Sequence, residues 1–337
     1  MPTLSDKENY LRMMRGEVPE RVPQYNYFKV GADEPATMII EPAIINPHRV
    51  NAGGHDCWGV NWVPTAETAG GLIPEPNNFI LRDVTKWREV IKAPDTSGID
   101  WERAADADLK RMGINRGLTA CAFAPHFGYF QTFVSFMGFE NAMMAMAEEP
   151  DSVHELLGYV ADFYQTVIEG YIDVMKPDVL THMDDTAAWA APFISPAMYR
   201  EFLLPHHKRY SDLGRERGLP QTMHNCGKSE CFADIFTELG ITLWEPAQTS
   251  NDLAKVKAEK NIFLAGGWDA RGRLLEPDVT EEEIRQSARD SIDKLAPGGG
   301  YAWFGGFLGA AGDAESARRN AILMDEVTRY GAEFYKH

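Results

Sequence analysis

Apolar and polar positions change their rhythm once along the chain. Up to about Ala93 the apolar residues are interrupted by Gly, Pro and Asn, and no regular period persists. One stretch there predicts a strand, Val22-Pro23-Gln24-Tyr25-Asn26-Tyr27-Phe28, entered through the turn residues Gly16, Pro19 and Glu20. A second apolar patch, Cys57 to Val63, reads as a strand or as part of a covering loop. From Gly117 onward short apolar runs alternate with helical patterns. Val153, Leu156, Leu157, Val160, Tyr164, Val167, Ile168, Tyr171, Ile172 and Met175 recur at intervals of three and four, which predicts one long helix. Asp151 or Ser152 can cap it, and Pro177 ends it.

Other helices are predicted at Gln131 to Glu148, Pro196 to Arg217, Ser229 to Leu239, Leu253 to Glu259, Glu281 to Leu295 and Glu315 to Phe334. The runs between them predict strands at Gly117 to Phe123, Asp178 to His182, Pro220 to His224, Ile241 to Glu245, Ile262 to Gly266 and Tyr301 to Phe304. Strands alternating with helices imply right-handed crossovers and a parallel sheet. Six such strands, with one or two before them, approach the eight of a closed barrel. The expected fold is a (β/α)8 TIM barrel. It forms one domain over residues 1–337, with an irregular N-terminal extension and covering loops through residue 93. An open doubly wound sheet is the alternative, but no G-x-G-x-x-G follows any strand.

Charge narrows the partners. Lys and Arg total 33 against 50 Asp and Glu, a net charge of −17, and so negative a surface repels nucleic acid and anionic lipid. No stretch has the length of a membrane span, and the polar start lacks the apolar core of a signal peptide, so a cytoplasmic protein is expected. Four scattered cysteines, Cys57, Cys121, Cys226 and Cys231, do not form a disulfide framework and are free thiols or metal ligands.

In a parallel barrel the chemistry gathers where strands run into their following loops. Those positions carry His126, His182 with Asp184 and Asp185, His224 with Cys226, Glu245 and Asp269. Residues two apart on an extended segment point the same way, so His224 and Cys226 can converge on one cation, and Gly227 lets the chain turn away. Zinc accepts both donors and needs one or two more, which Glu245, or else Glu230 or Cys231, can supply. The alternative is a core histidine beside a buried thiol. Asp184 and Asp185 can hold a substrate hydroxyl or share a proton, or can cap a helix. His126 and His182 are either functional or hydrogen-bonded structural histidines. Tyr25, Tyr27 and Phe28 can line an apolar substrate pocket or pack a core.

Taken in order, these pieces resemble the uroporphyrinogen decarboxylase superfamily. Arg15-Gly16-Glu17-Val18-Pro19-Glu20-Arg21-Val22-Pro23 is similar to its N-terminal R-G-x-x-x-D-R-x-P signature, and Asp56-Cys57-Trp58-Gly59-Val60 to its D-x-x-G-V. Asp184-Asp185 followed by Phe193-Ile194-Ser195-Pro196, then Tyr199, Phe202 and Pro205, resembles a family helix entry. His224-Asn225-Cys226-Gly227 and Asp252-Leu253-x-x-x-Lys257 complete the series. The resemblance independently implies the barrel.

After Pro23 the chain reads Gln24-Tyr25-Asn26-Tyr27, without the arginine cluster with which the decarboxylases grip a polycarboxylate tetrapyrrole. The H-x-C-G element instead resembles the cobalamin-dependent methyltransferase branch. That resemblance implies a zinc site at His224 and Cys226, with Glu245 or alternatively Glu230 as a further ligand. It also implies a corrinoid carried by a separate partner protein. This chain lacks the D-x-H-x-x-G motif that holds a corrinoid tightly. The second cysteine of thiol-methylating members is absent, since that region reads Phe304-Gly305-Gly306-Phe307.

The resulting expectation is a methyltransferase of a corrinoid-dependent demethylation system. Its substrate would be a small methylated compound, an O-methyl ether such as a methoxylated aromatic. His182 or Asp184 would act as the acid, and Tyr25, Tyr27, Phe28 and His126 would line the substrate pocket. Transfer from methylcorrinoid to a thiol or pterin, decarboxylation of a smaller acid, and a non-catalytic binding barrel are the rivals.

Overall fold

A computed structural model describes residues 3–27, 34–46, 53–65, 71–125, 128–309 and 312–336. Phe28 and His126 lie outside the described residues. Seven strands form one parallel sheet: β1 (Thr37–Ile40), β5 (Ala120–Phe123), β6 (Val179–Met183), β7 (Gln221–His224), β8 (Leu243–Ala247), β9 (Phe263–Gly266) and β10 (Tyr301–Ala302), adjacent in that order. A separate antiparallel sheet holds β2 (Gly54–His55), β3 (Asn61–Pro64) and β4 (Leu72–Pro74).

The segment 23–27 joins the two edges of the parallel sheet. Tyr25 N–H donates to Trp303 O at 2.8 Å, and Trp303 N–H donates to Pro23 O at 2.7 Å. On its other side, Ile39 N–H donates to Tyr27 O at 3.1 Å. With this segment as an eighth stave the parallel sheet closes into a barrel, which excludes the open alternative.

The apolar residues sort into two clusters. Ile39, Ala120, Ala122, Val179, Met183, Leu243, Ala265 and Ala302 fill the barrel interior, joined by Tyr25. Ile40, Cys121, Phe123, Leu180, Met223, Trp244, Leu264 and Tyr301 face outward against the helices. Staves buried on both faces explain why the strands read as nearly continuous apolar runs. Small interior alanines alternate with large residues and let the ring fill itself. The helix Asp6–Met14 closes the end at which the strands begin. Its Tyr10, Met13 and Met14 belong to the interior cluster, and Lys7 Nζ donates to Arg116 O at 2.8 Å and to Asp178 Oδ2 at 3.1 Å.

Several elements depart from their expected form. The helix predicted over Gln131 to Glu148 is two helices, Tyr129–Met137 and Phe139–Glu148. They break at Gly138, whose φ of 80° is left-handed and where a Cβ would lie 2.5 Å from the Phe79 ring. The helix predicted over Pro196 to Arg217 passes through a π-helical turn, Tyr199–Leu203, before Leu204–Glu216. Pro205 has no N–H to give and crowds the preceding turn, which widens it. The long helix Pro150–Met175 begins with Pro at its first position and has Glu149 as N-cap without a side-chain bond, so neither Asp151 nor Ser152 caps it. A helix at Trp101–Met112, capped by Asp100, and strand β1 were not predicted. Cys57 to Val63 is a turn leading into β3, held by Asp56 Oδ1, which accepts from the Trp58 and Val60 N–H groups at 2.9 and 3.0 Å. Among the described residues no helix is long and apolar enough to cross a membrane.

Candidate active site

The register brings His224 opposite Met183 on one side and Glu245 on the other, so all three side chains face the barrel interior. Cys226, two residues beyond His224, keeps that side. The turn after it depends on Gly227, at φ 83°, where a Cβ would sit 2.6 Å from the carbonyl oxygens of both Ala187 and Ala188. Asp185 shares the parity of Thr181 and Met183 and also points inward.

The donor atoms of Asp185, His224 and Cys226 lie within 4.8 Å of one another. Cys226 Sγ is 3.5 Å from His224 Nε2, and Asp185 Oδ1 is 3.4 Å from the same nitrogen. Tetrahedral ligands bound at about 2.0–2.3 Å stand roughly 3.3–3.8 Å apart, and both separations from His224 Nε2 fall in that range, so this nitrogen, sulfur and oxygen set suits zinc. The outer partners are also in place. Glu245 Oε2 accepts from His224 Nδ1 at 3.0 Å, on the ring's far side from the sulfur. Glu245 is fully buried; Tyr25 donates to its Oε1 at 3.2 Å, and the Tyr27 hydroxyl contacts both its Oε2 and His224 Nδ1. Asp185 Oδ2 accepts from Gln131 Nε2 at 3.0 Å, and its Oδ1 accepts from Cys226 N–H at 2.7 Å.

Charge follows from this packing. Burial alone would push the His224 imidazole down, but Glu245, Cys226 and Asp185 outweigh it and hold His224 well above the usual histidine range. Burial would raise Asp185, but His224 and the Cys226 N–H hold it low. Burial raises Cys226, and it raises Tyr27, which also feels Glu245.

His182 and Asp184 have the opposite strand parity. Both are fully buried between the barrel wall and the helices rather than facing its interior. Asp184 Oδ2 accepts from the N–H groups of Tyr129 and Phe130 at 3.0 and 3.2 Å, and its Oδ1 accepts from Gln131 N–H at 3.2 Å. It thereby satisfies the open start of the helix Tyr129–Met137, and His207 Nε2 donates to it at 3.0 Å. His182 Nε2 donates to Gln221 Oε1 at 2.7 Å, and burial beside His207 lowers its imidazole to about 3. Glu230 stands apart from the cluster; its Oε2 accepts from Asp252 N–H at 2.5 Å, and Lys228 Nζ lies 3.6 Å from its other oxygen. Glu245, expected as a metal ligand, meets the Nδ1 side of His224 as an orienting carboxylate, and Asp185, not expected as a ligand, stands beside Nε2.

Asn225, inside the motif, was overlooked. It is fully buried, its Nδ2 donates to Thr186 Oγ1 at 2.8 Å, and its carbonyl accepts from Trp244 Nε1 at 3.0 Å. These bonds tie the loops after β6 and β7 to each other and to strand β8 beneath the cluster. Its outward parity, between two inward residues, was the available signal.

A cavity of about 600 Å³ opens beside Tyr27. Tyr25, Trp189, Trp268, Trp303, Phe304 and Phe307 give it aromatic walls, and Gln24, Asn26, Gln248, Asp269 and Arg271 add polar groups. Tyr27 therefore belongs both to the cavity and to the cluster. Parallel staves, a filled interior and polar groups gathered at the strands' C-terminal ends define an enzyme-type barrel.

The family model for uroporphyrinogen decarboxylase (URO-D) matches residues 110–304, and the chain belongs to that family. It is 30% identical over 155 residues to a methylated-thiol–coenzyme M methyltransferase of Methanosarcina mazei, an overlap of 46% of this chain and 40% of that protein. It is 25% identical over 163 residues to a uroporphyrinogen decarboxylase of Rhodococcus erythropolis, covering 47% and 43%. The chain spans less than half the length of the curated relatives it matches. A solved methyltransferase structure from Methanosarcina mazei has the same fold, with a TM-score of 0.61 over 97% of this chain and 99% of that one at 12% identity.

Proposed function

We propose that this protein is a methyltransferase that takes a methyl group from a small methylated compound, an O-methyl ether such as a methoxylated aromatic, and passes it to a corrinoid on a separate protein. The observation that carries this reading is the convergence of Asp185, His224 and Cys226 beside an aromatic-walled cavity. Asp185, His224 and Cys226 would hold zinc, which when bound supplies a Lewis acid at the cavity's edge.

This chain's own residues bind, orient and protonate. Glu245 fixes the tautomer and tilt of His224, and Gln131 fixes Asp185. The aromatic walls hold the donor's ring and exclude water, so that the methyl carbon meets its acceptor in one orientation. An alkoxide or phenoxide is a poor leaving group and needs a proton donor. His182 and Asp184 are sealed from the cavity, whereas Tyr27 lines it, and its hydroxyl, held by Glu245 and His224, would turn from them to give the leaving oxygen a hydrogen bond. Leu275 and Leu308, 59% and 89% exposed, rim the cavity with apolar surface suited to a docked partner.

The related methyltransferase of methylated thiols favours a thioether donor as the second reading. Decarboxylation of a polycarboxylate tetrapyrrole is disfavoured, because Arg271 is the single cationic side chain among the cavity's lining residues. The test is methyl transfer from a panel of methoxylated aromatics and methyl thioethers to free cob(I)alamin, followed by the cobalt absorption change. Methylation from an ether is expected. Methylation from thioethers alone would establish the second reading, and carbon dioxide release from an acid without any cobalamin would overturn both.

A further inference from the structure

The cavity holds a charge that this chemistry leaves unused. Arg271, in the loop after β9, lays its guanidinium on the indole of Trp189, with Cζ 3.7 Å from the ring centroid. Trp189 stands in the loop after β6, so the pair reaches across the barrel mouth from two separate loops. Stacking on an aromatic face restrains the guanidinium while leaving its N–H donors, which lie in its own plane, available. Among the described residues no carboxylate pairs with Arg271, and no hydrogen bond engages its guanidinium. The other charged lining group, Asp269, is already occupied: its Oδ2 accepts from Thr249 N–H at 2.7 Å. The cavity is thus an aromatic slot with one restrained cation, exposed and without a carboxylate partner among the described residues, in a molecule of net charge −17.

We propose that the methyl donor is a planar aromatic compound bearing a single carboxylate, with its ring between the aromatic walls and its carboxylate on Arg271. The proposal rests on reading the cavity as the methyl donor's site. A guanidinium matches a carboxylate with two parallel hydrogen bonds, which sets the ring's direction as well as its affinity. A neutral ether would leave Arg271 unpaired. A polycarboxylate would place its further charges against acidic surroundings with no second cation to meet them.

The test is titration of the full chain with 4-methoxybenzoate and with 4-methoxybenzamide, its neutral analogue of nearly the same shape, by calorimetry at fixed ionic strength. The acid is expected to bind about tenfold more tightly than the amide or better, as a charge-assisted bidentate pair provides. In Arg271→Gln, an exposed position, the melting temperature should hold while the preference disappears. Equal binding of acid and amide, binding of neither, or a preference that survives Arg271→Gln would each overturn the proposal. Because the readout is binding, an acid that binds through Arg271 but never gives up its methyl group would sink the ether-donor reading and leave the anion site standing.

Discussion

Asp184 and Asp185 are adjacent, chemically identical and differently employed. Strand parity turns Asp184 outward, under the helix Tyr129–Met137, and Asp185 inward, beside His224 and Cys226. The sequence placed the pair at the end of β6 and favoured Asp184, which the fold employs at a helix start, while Asp185 stands with the candidate metal ligands. Following the alternation from Thr181 and Met183 would have separated them. His224 and Cys226 were legible because an i, i+2 pair on a strand needs no knowledge of tertiary structure. The role of Glu245 was not, because only the ring's orientation decides which nitrogen a neighbour meets. Asp185→Asn is expected to weaken zinc binding about tenfold or more with little change in melting temperature, as metal titration and thermal unfolding would show. Asp184→Ala is expected to keep the metal and to lose roughly 3–5 kcal/mol of stability, since it removes the buried acceptor of the Tyr129, Phe130 and Gln131 N–H groups. Metal loss in Asp184→Ala at unchanged stability would return the ligand role to Asp184.

At the scale of elements, helices with a long apolar stripe were found within a few residues. Glu281–Leu295 even carries its full capping box, Thr280 with Glu283. The misses are the largely polar helix Trp101–Met112 and short or broken elements. β1 has four residues, and helices interrupted by Gly138 or widened before Pro205 keep their apolar period across the irregularity. The layer between β6 and the helix Leu204–Glu216 also carries a pH response. Burial lowers His182 to about 3 and His206 to about 4, both below the roughly 6.5 of an unfolded histidine. Below that pH the unfolded chain takes up protons that the folded one refuses, so stability is full above about 6.5 and falls as pH drops towards 4. Each histidine adds a slope of up to about 1.4 kcal/mol per pH unit. Urea unfolding between pH 6.5 and 5 should show this slope in the parent and a shallower one in His182→Gln. Identical slopes would refute the assignment.

For the whole molecule, the sequence supported a barrel by counting strands but not how the ring closes. Closure depends on segment 23–27, which bonds to β10 and β1, two elements far apart in the chain. The region read as an extension therefore supplies two of the staves and the plug at the barrel's base. Tyr10→Ala should open a cavity among Tyr25, Met13 and the strand beginnings, costing roughly 3–5 kcal/mol in chemical denaturation. A loss under about 1 kcal/mol would show that the plug does not seal the base.

The account stands on three side chains, one at the end of β7 and two from the loops after β6 and β7, forming one metal centre at the barrel mouth. Elemental analysis of the purified chain tests this most directly. About one zinc ion per chain is expected, falling to a small fraction in Cys226→Ala and to none in the double variant His224→Ala/Cys226→Ala. Full zinc retention in a folded double variant would contradict the account.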